Sequence, residues 1–205
     1  EYARREAFDR RVLIVRDPRD TAVSRALFAF HKGRAGREAA FDSYYRTLRR
    51  KEADPRAVPF LELFASAHVP ARAVAQVVAD EAELYASACR FTEAESGDWH
   101  VFPYEDLAAG RFERLNAYLG FPVEAAAGVG AQADKIVRSA TSGGWRHWFT
   151  PSDVEQLRDA YTPYLARHGY DAAGWDLAPE PCIDPAVASG YVARLLARHG
   201  ETPPA

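Results

Sequence analysis

Apolar and polar positions follow two rhythms along this chain. Val12–Val15 is a continuous apolar run, the pattern of a short strand buried on both faces of a parallel sheet. Pro18 ends it, and helical spacing takes over from about residue 19 to 31, with Val23, Ala26, Leu27 and Phe30 on one face. The polar stretch KGRAGRE (32–38) then connects to three further helical segments. The first, 41–51, ends in the basic run RTLRRK, and the second, 58–67, is short and aromatic. The third starts after Pro70, where Val74, Val77, Val78, Glu81, Leu84, Tyr85 and Ala88 recur at spacings of three and four. Only Glu81 interrupts that face, so a core-packing helix is expected.

A turn and a second strand, about 99–103, are predicted within SGDWHVFPYEDL (96–107). The helix that follows carries Leu107, Leu115, Tyr118 and Leu119 and stops at Gly120. In FTPSD (149–153), Thr150 is placed as N-cap, Pro151 in the first turn and Asp153 as the closing member of a capping box. That helix is expected to reach Gly169 with Val154, Leu157, Tyr161 and Leu165 inward, and to bend at Pro163. A last helix is predicted over 186–199. LARHG occurs at 165–169 and at 196–200, but a basic last turn closed by glycine is common helix-ending chemistry and marks no repeat. Two parallel strands are too few to cover so many helices, so further strands are expected outside this sequence.

Composition changes this picture in three places. A length of 205 residues suits one domain with a sizeable core, and a net charge of −3 gives no global pull toward nucleic acid or anionic membrane. Lysine stands only at 32, 51 and 135, so the positive charge is mostly arginine. That bias fits either a GC-rich coding sequence or a use for guanidinium forks on phosphate or sulfate. Cys89 and Cys182 are far apart without CxxC spacing, which argues against a metal centre or disulfide framework and suits a reducing cytoplasm. No apolar run reaches transmembrane length and no signal-peptide pattern is present. Methionine is absent even at position 1, so the chain is expected to begin at a point other than its gene's start.

The candidate chemistry lies at the first strand-to-helix hinge, RVLIVRDPRDTAVSRALFAF (11–30). A tight turn there aims the free N–H groups of the helix at the carboxyl end of the strand, which makes an anion site. Arg16 ends the strand, and Ser24 lies on the helix one turn after Asp20, so a guanidinium fork and a hydroxyl could meet a phosphate. Asp17 or Asp20 is read as a helix cap or the holder of an arginine rather than as an anion contact. A plain structural turn is the competing reading. A second region, KIVRSATSGGWRHWF (135–149), offers Arg138 as another fork and small residues that let backbone approach a ligand. Its aromatic residues are read first as a hydrophobic anchor for the loop.

These segments resemble motifs of the sulfotransferases that use 3′-phosphoadenosine-5′-phosphosulfate (PAPS). VRDPRDTAVS is similar to their 3′-phosphate motif, a strand-end Arg followed eight residues later by Ser, matching Arg16 and Ser24. YEDL (104–107) with the later YLGFP resembles the family's YEDL…FLG segment, whose tyrosine, here Tyr104, lies near the adenine. RSATSGGWRHWFT (138–150) resembles the RKGxxGDWKxxFT loop: Arg138, Ser139 and Ala140 match its Arg, Lys and Gly, and Trp145 and Phe149 its Trp and Phe. Gly144 stands where the family carries Asp. The matches run in the family's order from about residue 12 to 170.

The resemblance implies an α/β, P-loop-NTPase-like three-layer fold with a parallel sheet, spanning 1–175, with 176–205 as a one-helix C-terminal extension. It implies transfer of a sulfuryl group from PAPS to a hydroxyl or amine of a small molecule or glycan. Arg16, Ser24 and Arg138 would hold the 3′-phosphate, with Tyr104, Ser139 and Ala140 completing the nucleotide site and no metal required. No nucleic acid or membrane partner is implied, and a homodimer is compatible with it. The family's 5′-phosphosulfate loop and catalytic base precede the hinge, so both are expected upstream of Glu1, outside this sequence. None of His31, His68, His100, His147, His168 and His199 matches a catalytic position, and helix-end or surface roles are expected for each. Two other classes remain: a P-loop kinase-like phosphotransferase, which needs a GxxxxGK[ST] loop upstream, and a non-catalytic nucleotide-binding or assembly module.

Overall fold

A computed structural model of the chain describes residues 9–94, 99–123 and 142–204. Strand β1 (Val12–Val15) leads into helix α1 (Pro18–Phe28), then α2 (Glu38–Ala53), α3 (Phe60–Ser66) and α4 (Val74–Ala94). Strand β2 (His100–Pro103) follows, then α5 (Tyr104–Ala108), α6 (Glu113–Leu119), α7 (Pro151–Arg167) and α8 (Ser189–Ala197). The two strands pair in parallel, Val12 opposite His100 and Val15 opposite Pro103. The described residues therefore form a mixed α/β unit with a two-stranded parallel sheet. β1 was expected to be buried on both faces, yet Ile14 is 54% exposed. Its only strand partner among the described residues is β2, and an apolar groove of about 330 Å³ runs beside it past Leu84 and Phe91.

The helices form where their local signals lie. Asp17 accepts the Arg19 amide at 2.8 Å and Pro18 occupies the first turn of α1, whose Ala22, Val23, Ala26 and Leu27 are buried as the spacing predicts. α7 starts on the expected capping box, with Thr150 and Asp153 serving each other's backbone, and continues through Pro163. Gly120 ends α6 in the left-handed conformation at φ 81°, which glycine adopts without a Cβ clash. The predicted last helix is divided. Ala188, at φ −119° and ψ −101°, separates a short 3-10 turn (Pro185–Val187) from α8.

Three buried polar groups join elements that the apolar pattern cannot relate. The side chain of Asp153 caps two helices at once, accepting the Phe60 and Leu61 amides of α3 at 2.8 and 2.9 Å as well as the Thr150 amide at 2.7 Å. Glu81, the interruption in the α4 face, is 1% exposed and accepts Arg25 Nη1 at 2.5 Å and the Tyr161 hydroxyl at 2.7 Å. A buried charge with two donors is tolerated where an isolated one is not. Lys51 is fully buried, and its Nζ donates to the carbonyls of Pro55 and Val58 at 2.6 and 2.5 Å, closing the loop between α2 and α3. α4 packs along α7, α3 lies against α1 and α2, and α8 adds Tyr191, Val192, Leu195 and Leu196 to the same core. No described helix is long and apolar enough to cross a membrane.

Candidate anion site at the strand-to-helix hinge

The parallel register sets this site. Val15 lies opposite Pro103, so the next residues, Arg16 and Tyr104, leave the carboxyl ends of neighbouring strands side by side. The Arg16 guanidinium carbon lies 4.4 Å from the centroid of the Tyr104 ring. Among the described residues Arg16 forms no ion pair, and a cation held over an aromatic face keeps its N–H edges available to an anion. Arg16, Tyr104, Glu105, Arg111 and Ser142 line a cleft of about 360 Å³, within the range of small-molecule sites. Two charged groups of the cleft are already engaged. Arg111 donates from Nε and Nη2 to Asp106 Oδ1 at 3.0 and 2.7 Å. Glu105 accepts the Tyr170 hydroxyl at 2.7 Å and faces the Asp17 amide at 3.4 Å.

The remaining hinge residues build the turn. Arg19 is buried and forks onto Asp17, Nη2 to Oδ2 at 2.7 Å, while its Nη1 donates to the Gly174 carbonyl at 2.7 Å. Its guanidinium lies against the rings of both Trp145 and Trp175, 4.5 and 5.0 Å from their centroids. Asp17 thus caps α1 and holds an arginine, as the sequence suggests. Asp20 does neither. It is 2% exposed and accepts the Gly143 amide at 2.6 Å and the Trp145 amide at 3.0 Å. Burial raises its carboxyl above the ordinary carboxylate value, against the lowering effect of those two bonds. The close backbone approach expected of the small-residue loop is therefore made to Asp20. Gly143 supplies the turn at φ 80°, and buried Trp145 and Phe149 anchor it, Phe149 stacking on Phe60 at 5.0 Å.

Of the residues singled out from sequence, Arg16 and Tyr104 come together. Ser24 is half-buried on α1 and is not in the cleft wall, and Arg138, Ser139 and Ala140 lie outside the described residues. Sequence reading missed Glu105, Arg111 and Ser142; for Glu105 the signal was its place beside Tyr104 in YEDL. The histidines take packing and helix-end positions. His31 stacks on Phe28 at 4.1 Å with Nδ1 2.9 Å from the Phe28 carbonyl, and His68 approaches the Phe64 carbonyl in the same way. His147 Nδ1 accepts the Cys182 amide at 3.1 Å, and His199 Nε2 lies 2.8 Å from the His31 carbonyl. His100 stacks on Tyr118, and His168 sits at the C-cap of α7; burial lowers the values of both imidazoles. No group of three or more His, Cys, Asp or Glu among the described residues is arranged to hold a metal ion. No family model, curated protein or solved structure matches this chain.

Proposed function

We propose that this chain binds the 3′-phosphate half of PAPS and belongs to a sulfotransferase with a P-loop-like sheet. The observation that supports this reading best is the pairing of Arg16 with Tyr104 at the carboxyl ends of two parallel strands. That is where open α/β sheets place nucleotide ligands. The cation meets the phosphate and the adjoining ring offers a face to the base. The hinge and the 142–145 turn, more than a hundred residues apart, are tied together there by Asp20. Arg138 and Ser24 enter on the motif resemblance, as the second fork and a hydroxyl donor.

In the transfer, the acceptor's oxygen or nitrogen attacks the sulfur of PAPS and a base takes its proton. The bond from sulfur to the bridging oxygen breaks, and that oxygen leaves with the adenosine bisphosphate. Arg16, Ser24 and Arg138 grip the nucleotide and do not react. Charge-assisted hydrogen bonds contribute about 1.5–3 kcal/mol each. Calorimetric titration with adenosine 3′,5′-bisphosphate tests the assignment. Arg16→Ala and Arg138→Ala are each expected to weaken binding at least about tenfold, which corresponds to about 1.4 kcal/mol. Unchanged affinity in both variants, with circular dichroism intact, sinks it.

A further inference from the structure

We infer that Ser142 is a ligand-binding residue of the Arg16 cleft and that Asp20 is the positioning residue that holds it there. The inference rests on the nucleotide reading above and concerns residues that the motif resemblance assigns no role. Asp20 commits both carboxylate oxygens to backbone amides of one short turn, Gly143 and Trp145. The turn is committed to that contact. Gly143 has φ +80°, a conformation that strains any L side chain. On the far side, buried Trp145 packs edge-on against Trp175 at 5.8 Å, so the turn is fixed from both ends.

Ser142 immediately precedes this latch. It is exposed, and among the described residues it is the member of the segment that lines the cleft with Arg16 and Arg111. Two charged groups of the cleft have partners: Glu105 takes the Tyr170 hydroxyl, and Arg111 Nε and Nη2 are bound to Asp106. Among the described residues, the Arg16 guanidinium and the Ser142 hydroxyl are cleft donors with no side-chain hydrogen bond, and they stand beside the Tyr104 hydroxyl as donors for a phosphate oxygen. A hydroxyl on a tethered turn donates with less loss of chain entropy than one on a free loop. Asp20, which never faces the cleft ligand, thereby sets affinity from behind.

The test is a double-mutant cycle read by calorimetry with adenosine 3′,5′-bisphosphate on the full chain. Ser142→Ala and Asp20→Asn are each expected to weaken binding about tenfold or more, the scale of one hydrogen bond to a charged group. If Asp20 acts through Ser142, the double variant binds no more weakly than the worse single one. Should Asp20→Asn fail to fold, Gly143→Ala strains the same latch with Asp20 intact, and the same loss and the same non-additivity are expected. Wild-type affinity in Ser142→Ala, or losses that multiply in the double variant, overturns the inference and leaves the nucleotide reading standing. Absence of bisphosphate binding by the wild-type chain overturns the nucleotide reading, and the inference with it.

Discussion

The two arginines of the hinge look equivalent in sequence and have opposite fates. Arg19 is packed against two indoles and forked onto Asp17, so removing its charge strands a buried carboxylate. Breaking one partner of a buried pair costs about 3–5 kcal/mol, and Arg19→Leu is expected to destabilise the chain by that amount in urea unfolding. Arg16→Ala is expected to change stability far less, by about 0.5 kcal/mol, because Arg16 is half-exposed beside the Tyr104 ring. Lys51 gives a residue-scale prediction in pH. Burial lowers its ammonium from 10.5 to about 8, so above pH 8 the folded chain sheds a proton that the unfolded chain keeps. The unfolded state then binds more protons, and stability rises with pH between about 8 and 9. Approaching pH 10 the sign reverses. Burial raises the Tyr44, Tyr85 and Tyr161 phenols, so they stay neutral in the fold while the unfolded phenols ionise. Urea midpoints at pH 7, 8 and 9 should climb in the wild-type chain. In Lys51→Met, that climb should disappear.

At the scale of elements, the short α3 depends on a residue outside itself. Pro59 precedes it with no side-chain cap, and its first amides are accepted by Asp153, which also closes the α7 capping box. Asp153→Ala removes acceptors from two helix starts together. A loss of about 2–4 kcal/mol is expected, roughly two N-caps. Hydrogen exchange should show both α3 and α7 losing protection; loss confined to α7 would contradict the shared cap. The same residues show what a sequence discloses. The Thr150–Asp153 box was legible because its signal is complete within four residues, and β1 was legible because four aliphatics end at a proline. Asp153 reaching Phe60 across 93 residues was not, nor was Glu81 bonding Arg25 and Tyr161 across 56 and 80. Glu81 was visible only as a break in an apolar face. Its partners lie on other helices, and nothing in local spacing names them.

For the whole molecule, the cleft depends on three segments that meet only in the folded chain. β1 and β2 bring Arg16 to Tyr104, and Asp20 draws in the turn that carries Ser142. Sequence motifs suggested the Arg16 and Tyr104 ends separately, but their contact follows from strand register, which composition cannot specify. The most direct test compares adenosine 3′,5′-bisphosphate with adenosine 5′-monophosphate, which lacks only the 3′-phosphate, by calorimetry on this chain and on Arg16→Ala. The bisphosphate is expected to bind at least about tenfold more tightly to the wild-type chain, and that preference should vanish in Arg16→Ala. Equal affinity for the two nucleotides, or a preference that survives the loss of Arg16, would contradict a 3′-phosphate site at this hinge.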